Sequence, residues 1–128
     1  MKQLKDTILE KLVFNKHTKS KYNYHPKTYI DLTALVNKLI KERGNNADLN
    51  DIDTSEITDM QNLFNCSHFN GDISLWNVSN VKNMFAMFTH SKFNGDISNW
   101  DVSNVEDMQF MFVDSPLEKN PPKWYKNK

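Results

Sequence analysis

Apolar residues in the second half of this 128-residue chain recur every 24 positions. Val81, Met84, Met87 and Phe88 return as Val105, Met108, Met111 and Phe112, and are anticipated by Ile57, Met60, Leu63 and Phe64. Steps of three and four residues trace one face of a helix, so the pattern predicts a two-turn helix in every unit. Ser55, Ser79 and Ser103 stand just ahead of these runs, where N-cap residues belong. Earlier in each unit, Asp48-Leu49-Asn50, Asp72-Ile73-Ser74 and Asp96-Ile97-Ser98 alternate polar and apolar, as a short strand burying its middle residue does. One unit therefore reads as strand, turn, helix and return loop.

Ahead of the repeats, Leu32, Leu35, Val36, Leu39 and Ile40 form an amphipathic stripe. Thr28 with Asp31 resembles a capping box, and Gly44 closes the helix. Leu4, Ile8 and Leu12 predict an earlier helix, and residues 15–25 a basic loop with extended character around Tyr22 and Tyr24.

Aligning Phe69 to Lys92 with Phe93 to Pro116 matches fifteen of twenty-four positions without a gap. A diverged copy precedes them, and Leu117 and Trp124 begin a truncated copy after them. The expected organisation is an N-terminal helical cap region over 1–44, followed by repeats over 45–68, 69–92 and 93–116 and a capping partial repeat to 128. No single coil of this length buries its apolar face alone, so the coils must stack into a solenoid of α/β class. Asn46, Asn70 and Asn94 should form a column that satisfies backbone groups, and Gly71 and Gly95 should mark crowded turns.

Charge is unevenly spread. Residues 1–43 carry ten basic and four acidic groups, net +6; residues 44–116 carry two and eleven, net −9; the last twelve return +3. Fifteen lysines accompany the single Arg43, a poor composition for reading bases or phosphates, which argues against nucleic acid. No apolar run is long enough to span a bilayer. Charges at Asp6, Glu10 and Lys11 interrupt any signal-like stretch, and the lone Cys66 fits a reducing compartment, so a cytoplasmic location is expected.

Three sets of residues are candidates for function. Asp48, Asp72 and Asp96 form an outward column, shared with Asn50, Ser74 and Ser98, that reads as capping residues, as a binding face or as a cation site. Leu75, Phe85, Phe110 and Val113 are apolar where the sister coils are polar, which suggests an interface. Cys66, His90 and Asp114 occupy one repeat position. Helices packed about 8–10 Å apart would hold them beyond the reach of a nucleophile–base pair, so neither catalysis nor metal binding is expected there. His17, His25 and His68 add no ligand spacing.

The string from Trp100 to Phe112, following Phe93-Asn94-Gly95-Asp96-Ile97-Ser98, resembles the BspA-like leucine-rich repeat family, which includes lipoprotein repeats of Mycoplasma and many bacterial surface proteins. The likeness covers residues 45–124. It implies a short right-handed solenoid with one thin parallel sheet, a role in protein–protein contact and no catalytic residues. With no export signal and three full repeats, the expectation is a non-catalytic intracellular adaptor or inhibitor without cofactor. It would be monomeric or weakly self-associating, and its protein partner would carry a basic patch. The alternatives are an adhesion-type surface protein and a small hydrolase using Cys66 and His90.

Overall fold

The structure, a computed structural model, describes residues 21–126. The helix expected around Leu4 to Leu12 lies outside them. Each 24-residue unit is bent into a coil by side chains that cap their own backbone. Asp48, Asp72 and Asp96 each accept the N–H two residues on, at 2.8, 2.9 and 3.0 Å. Asp53, Asn77 and Asp101 do the same for Ser55, Ser79 and Ser103. Asp59, Asn83 and Asp107 repeat it for Gln61, Phe85 and Gln109. These are Asx turns, in which a short side chain substitutes for a backbone acceptor. A serine does the same at Ser67 and Ser91. The three serines expected to cap helices are instead the donors of Asx turns set two residues earlier.

The expected α/β architecture is absent. Among the described residues there is one α-helix, α1 (Tyr29–Arg43), one 3₁₀ turn (Pro116–Glu118), and no sheet; parallel pairing is confined to isolated bridges such as Asp48 with Asp72 and Asn83 with Asp107. The segments predicted as helices are runs of tight turns. Asn62, Cys66, Ala86, His90, Phe110 and Asp114 hold positive φ of 53–60°, at four-residue intervals within each coil. A right-handed helix cannot contain such residues. The amides also divide between two destinations. Met60, Asn62, Phe64 and Cys66 donate to carbonyls of the second coil at 2.8–2.9 Å, while Leu63, Asn65 and Ser67 close turns within their own coil. Met84, Ala86, Phe88 and His90 donate to the third coil in the same way. Apolar spacing of three and four suits this turn ribbon as well as a helix, which is why the two could not be told apart by periodicity.

Because consecutive coils superimpose in register, identical rings lie on one another. Phe64, Phe88 and Phe112 stack at 5.6 and 5.7 Å, Phe69 and Phe93 at 6.1 Å, and Trp76, Trp100 and Trp124 at 6.5 and 6.3 Å. Each indole N–H reaches back one coil, to the carbonyls of Leu49, Ile73 and Ile97, so the tryptophans join coils as well as fill them. Asn70 stacks as expected: its side-chain oxygen accepts the Asn94 amide at 2.8 Å. A Cβ at Gly71 would lie 1.9 Å from the Ala47 carbonyl oxygen, so no larger residue fits between those coils.

Helix α1 covers the first coil. Thr28 accepts the Asp31 amide at 3.1 Å, and Leu32, Val36 and Leu39 are buried. Arg43 forks onto both carboxylate oxygens of Asp51 at 3.0 Å. Tyr24 pairs with Ile52, extending the cover. At the other end, Leu117 is buried and Trp124 seats on Trp100.

Phe88 touches rings of both neighbouring coils, so Phe88→Ala should cost about 3–5 kcal/mol in a denaturant melt. Cys66→Gly separates ribbon from helix by sign. Release of left-handed strain at this exposed site should raise stability by up to about 1 kcal/mol, whereas glycine inside a helix lowers it by about that much.

Candidate functional site

The outward acidic column lies where the repeat placed it, and its carboxylates have internal work. Asp72 and Asp96 each take both the amide and the hydroxyl of the following serine, Ser74 and Ser98, with hydroxyl contacts of 2.7 Å. The Asn50 amide beside Asp72, then the Ser74 donors, hold the Asp72 carboxyl below the ordinary carboxylate range. The Ser98 hydroxyl and amide do the same for Asp96, while the Asp72 charge pushes weakly the other way. Asn50 also accepts the Leu75 amide at 2.9 Å, which makes it a staple between the first and second coils. Of the seven residues expected on this face, Asp48, Asp72, Leu75, Asp96 and Ser98 remain well exposed, and Leu75 stands 74% in solvent.

A second surface lies on the turn ribbons. Phe85 and Phe110 meet edge to face at 5.5 Å, and Val113 follows one turn later. Phe110 is 54% exposed and sits at φ 59°, where the sister coils carry Asn62 and Ala86. Beside it is a cavity of about 350 Å³ walled by Phe110, Phe112, Val113 and Tyr125, with Glu118 on its lining.

The column of Cys66, His90 and Asp114 corrects one expectation. His90 Nδ1 lies 2.8 Å from Asp114 Oδ2, because these residues sit on turn ribbons joined by backbone hydrogen bonds, not on helices 8–10 Å apart. The Cys66 thiol is directed instead to Asn65 Oδ1 at 3.0 Å. No nucleophile is hydrogen-bonded to the imidazole among the described residues, and no group of three or more His, Cys, Asp or Glu there could hold a metal ion. The residues that sequence reasoning missed are the turn formers Asp53, Asn77 and Asp101 and their counterparts Asp59, Asn83 and Asp107. For the first three the signal is Asp/Asn-x-Ser ahead of each apolar run; for the second three it is only the recurrence of Asp or Asn just before Met60, Met84 and Met108.

Stacked coils, self-capped turns and an apolar patch at the end of the stack describe a repeat protein. Over residues 31–127 the chain matches the family described as Mycoplasma protein of unknown function, DUF285, and it belongs to that family. No curated protein and no solved structure matches it. None of the helices among the described residues is long and apolar enough to cross a membrane.

The depressed carboxyls set an acid limb. With folded pKa values below the unfolded ones, the contribution of Asp72 and Asp96 to stability is complete above the ordinary carboxylate value, about 4, and disappears as pH falls through the lowered values. Asp72→Asn with Asp96→Asn keeps the turn acceptor, as Asn77 and Asn83 show is chemically sufficient. Melting temperatures between pH 2 and 6 should therefore fall less steeply in this variant. An unchanged slope would mean these carboxylates are not the source.

Proposed function

We propose that this protein is a non-catalytic binding module that docks on one protein partner, as an adaptor or inhibitor, through the ribbon-side patch of Phe85, Phe110 and Val113. The observation that supports this most is Phe110. A large apolar side chain half in water is unfavourable, and a non-glycine residue at positive φ is strained by about 1 kcal/mol or more. Asparagine at the equivalent position of the first coil meets the same backbone demand without the exposed ring. The edge-to-face contact with Phe85 occupies only part of the Phe110 ring, which stays 54% exposed, and aromatic anchors commonly carry interface energy.

Leu75 supports a second reading, in which the acidic column around it meets a basic patch. The net −9 of residues 44–116 suits such a partner on either face. The finer assignment of the repeats to the BspA-like type rests on the motif of residues 93–112 and belongs with this proposal.

A photo-crosslinking amino acid placed in turn at positions 110, 75 and 92 in the native cell tests the reading. A discrete protein adduct from position 110, and none from the exposed control at 92, is expected. Adducts equal at all three positions, or none, count against it. With the partner in hand, Phe85→Ser with Phe110→Ser should weaken binding by tenfold or more, roughly the loss of one anchoring aromatic. Asp72→Lys with Asp96→Lys should chiefly reduce salt dependence. The reverse ranking would move the interface to the acidic column.

A further inference from the structure

The segment Phe-Asn-Gly-Asp-Ile-Ser occurs twice, over residues 69–74 and 93–98, and supplies both Asn-Gly steps of the chain, Asn70-Gly71 and Asn94-Gly95. Glycine has no Cβ to shield its nitrogen, so that nitrogen can reach the side-chain carbonyl of a preceding asparagine. Identical neighbours give the two steps the same intrinsic chemistry. Their places in the stack differ.

The first step is held on both sides. The Asn70 amide donates to Asn45 O at 2.7 Å and the Asp72 amide to Ala47 O at 2.9 Å, so Gly71 lies between two bonds to the preceding coil. The Asn70 side-chain oxygen accepts the Asn94 amide at 2.8 Å, which fixes the carboxamide that would have to turn toward the Gly71 nitrogen. A Cβ on Gly71 would meet Ala47 O at 1.9 Å, whereas one on Gly95 would stay 3.3 Å from Gly71 O. At the second step only the Asn94 amide is tied down. Among the described residues, neither the Asn94 carboxamide nor the Asp96 amide has a protein partner. Gly95 also borders, with Leu117 and Pro121 of the truncated copy, a cavity of about 490 Å³.

We infer that Asn94 is a site of spontaneous deamidation in the folded protein, and that the stack protects Asn70 from the same reaction. The Gly95 nitrogen gives its proton to water and attacks Cγ of Asn94. The new N–Cγ bond closes a succinimide, the Cγ–Nδ2 bond breaks, and ammonia leaves. Water then opens the ring at either carbonyl, leaving aspartate or isoaspartate at position 94. Closing the ring requires the main chain to rotate, so the rate follows local opening. Of the bonds named, opening at Asn70 breaks three and opening at Asn94 breaks one. The product places a new carboxylate two residues from Asp96, on an array already strongly acidic. Isoaspartate also lengthens the main chain by one methylene where the third coil registers on the second. The inference is independent of the protein-binding reading.

The full chain is incubated in mildly alkaline buffer, folded and in concentrated guanidinium chloride, and followed by tryptic peptide mass spectrometry. Lys82 and Lys92 lie between the two asparagines, so each is read in its own peptide. In the folded chain, conversion of amide to acid should run several-fold faster at Asn94 than at Asn70. In denaturant the two rates should match. Isoaspartate in excess over aspartate is the expected product, and Asn94→Gln should remove the acidic form that ion exchange separates. Equal rates in the folded chain, a faster Asn70 or no conversion at Asn94 overturns the inference. So does a difference that persists in denaturant, since it would then lie outside the fold. An acidic form that survives in Asn94→Gln, or aspartate without isoaspartate, also overturns it.

Discussion

Half of the amides in each turn ribbon cannot be satisfied within their own coil. With the backbone alternating between right-handed turns and left-handed residues, the N–H groups of Met84, Ala86, Phe88 and His90 point along the stack, and only the carbonyls of the following coil reach them. A buried amide without a partner is costly, so a coil is stable only when another lies in register against it. That requirement sets the 24-residue period. It also forces like residues to lie on like, which places Phe88 against Phe64 and Phe112 and each tryptophan on the next. The aromatic columns run through the buried core, and their geometry follows from the amides.

What could be read without coordinates follows the same division. The period, the helix from Tyr29 to Arg43 with its Thr28 and Gly44 ends, the crowding at Gly71 and the terminal cover by Trp124 all depend on local signals or on register, and both are written in the residues. The choice between turn ribbon and helix is not decided by apolar spacing, because a four-residue turn step and a 3.6-residue helical turn bury nearly the same positions over two turns. The deciding feature is backbone handedness at residues 62, 66, 86, 90, 110 and 114. Their identities are Asn, Cys, Ala, His, Phe and Asp, and cysteine, alanine and phenylalanine carry no signal of a left-handed conformation. The Asx turns are legible in the same residues as a helix cap, since a serine two residues after aspartate or asparagine fits either an N-cap or the donor of its predecessor's turn.

The candidate surfaces separate on similar grounds. Asp72 and Asp96 recur because the turn needs an acceptor, so their presence is explained before any partner is invoked. Phe110 and Leu75 do not recur, pack little and sit where polar sisters suffice. In a repeat protein the contrast between sister positions separates residues that the ladder demands from residues that it merely tolerates. The column of Cys66, His90 and Asp114 shows the limit of that contrast. It varies from coil to coil, yet stacking brings His90 and Asp114 within hydrogen-bond distance without assembling a nucleophile beside them.

Between residues 60 and 66, and again between 84 and 90, alternate amides all leave toward the following coil, while Lys82 and Lys92 outside those runs donate back to Thr58 and Ser67. The two ends of the turn ribbon therefore differ chemically, and the capping segments answer that difference. The first ribbon turns carbonyls outward, so its cover must bring donors, and α1 brings the Tyr29 hydroxyl to Gln61 O. The last ribbon turns amides outward, so its cover must bring acceptors, and the 3₁₀ turn brings the Glu118 carboxylate to the Asp114 amide. Exchanging the two caps would set donor against donor at one end and acceptor against acceptor at the other. The polarity is inherited from the handedness of the turns, since reversing which residues are left-handed would change which amides leave the coil. Cap chemistry, stack direction and turn conformation are therefore one constraint.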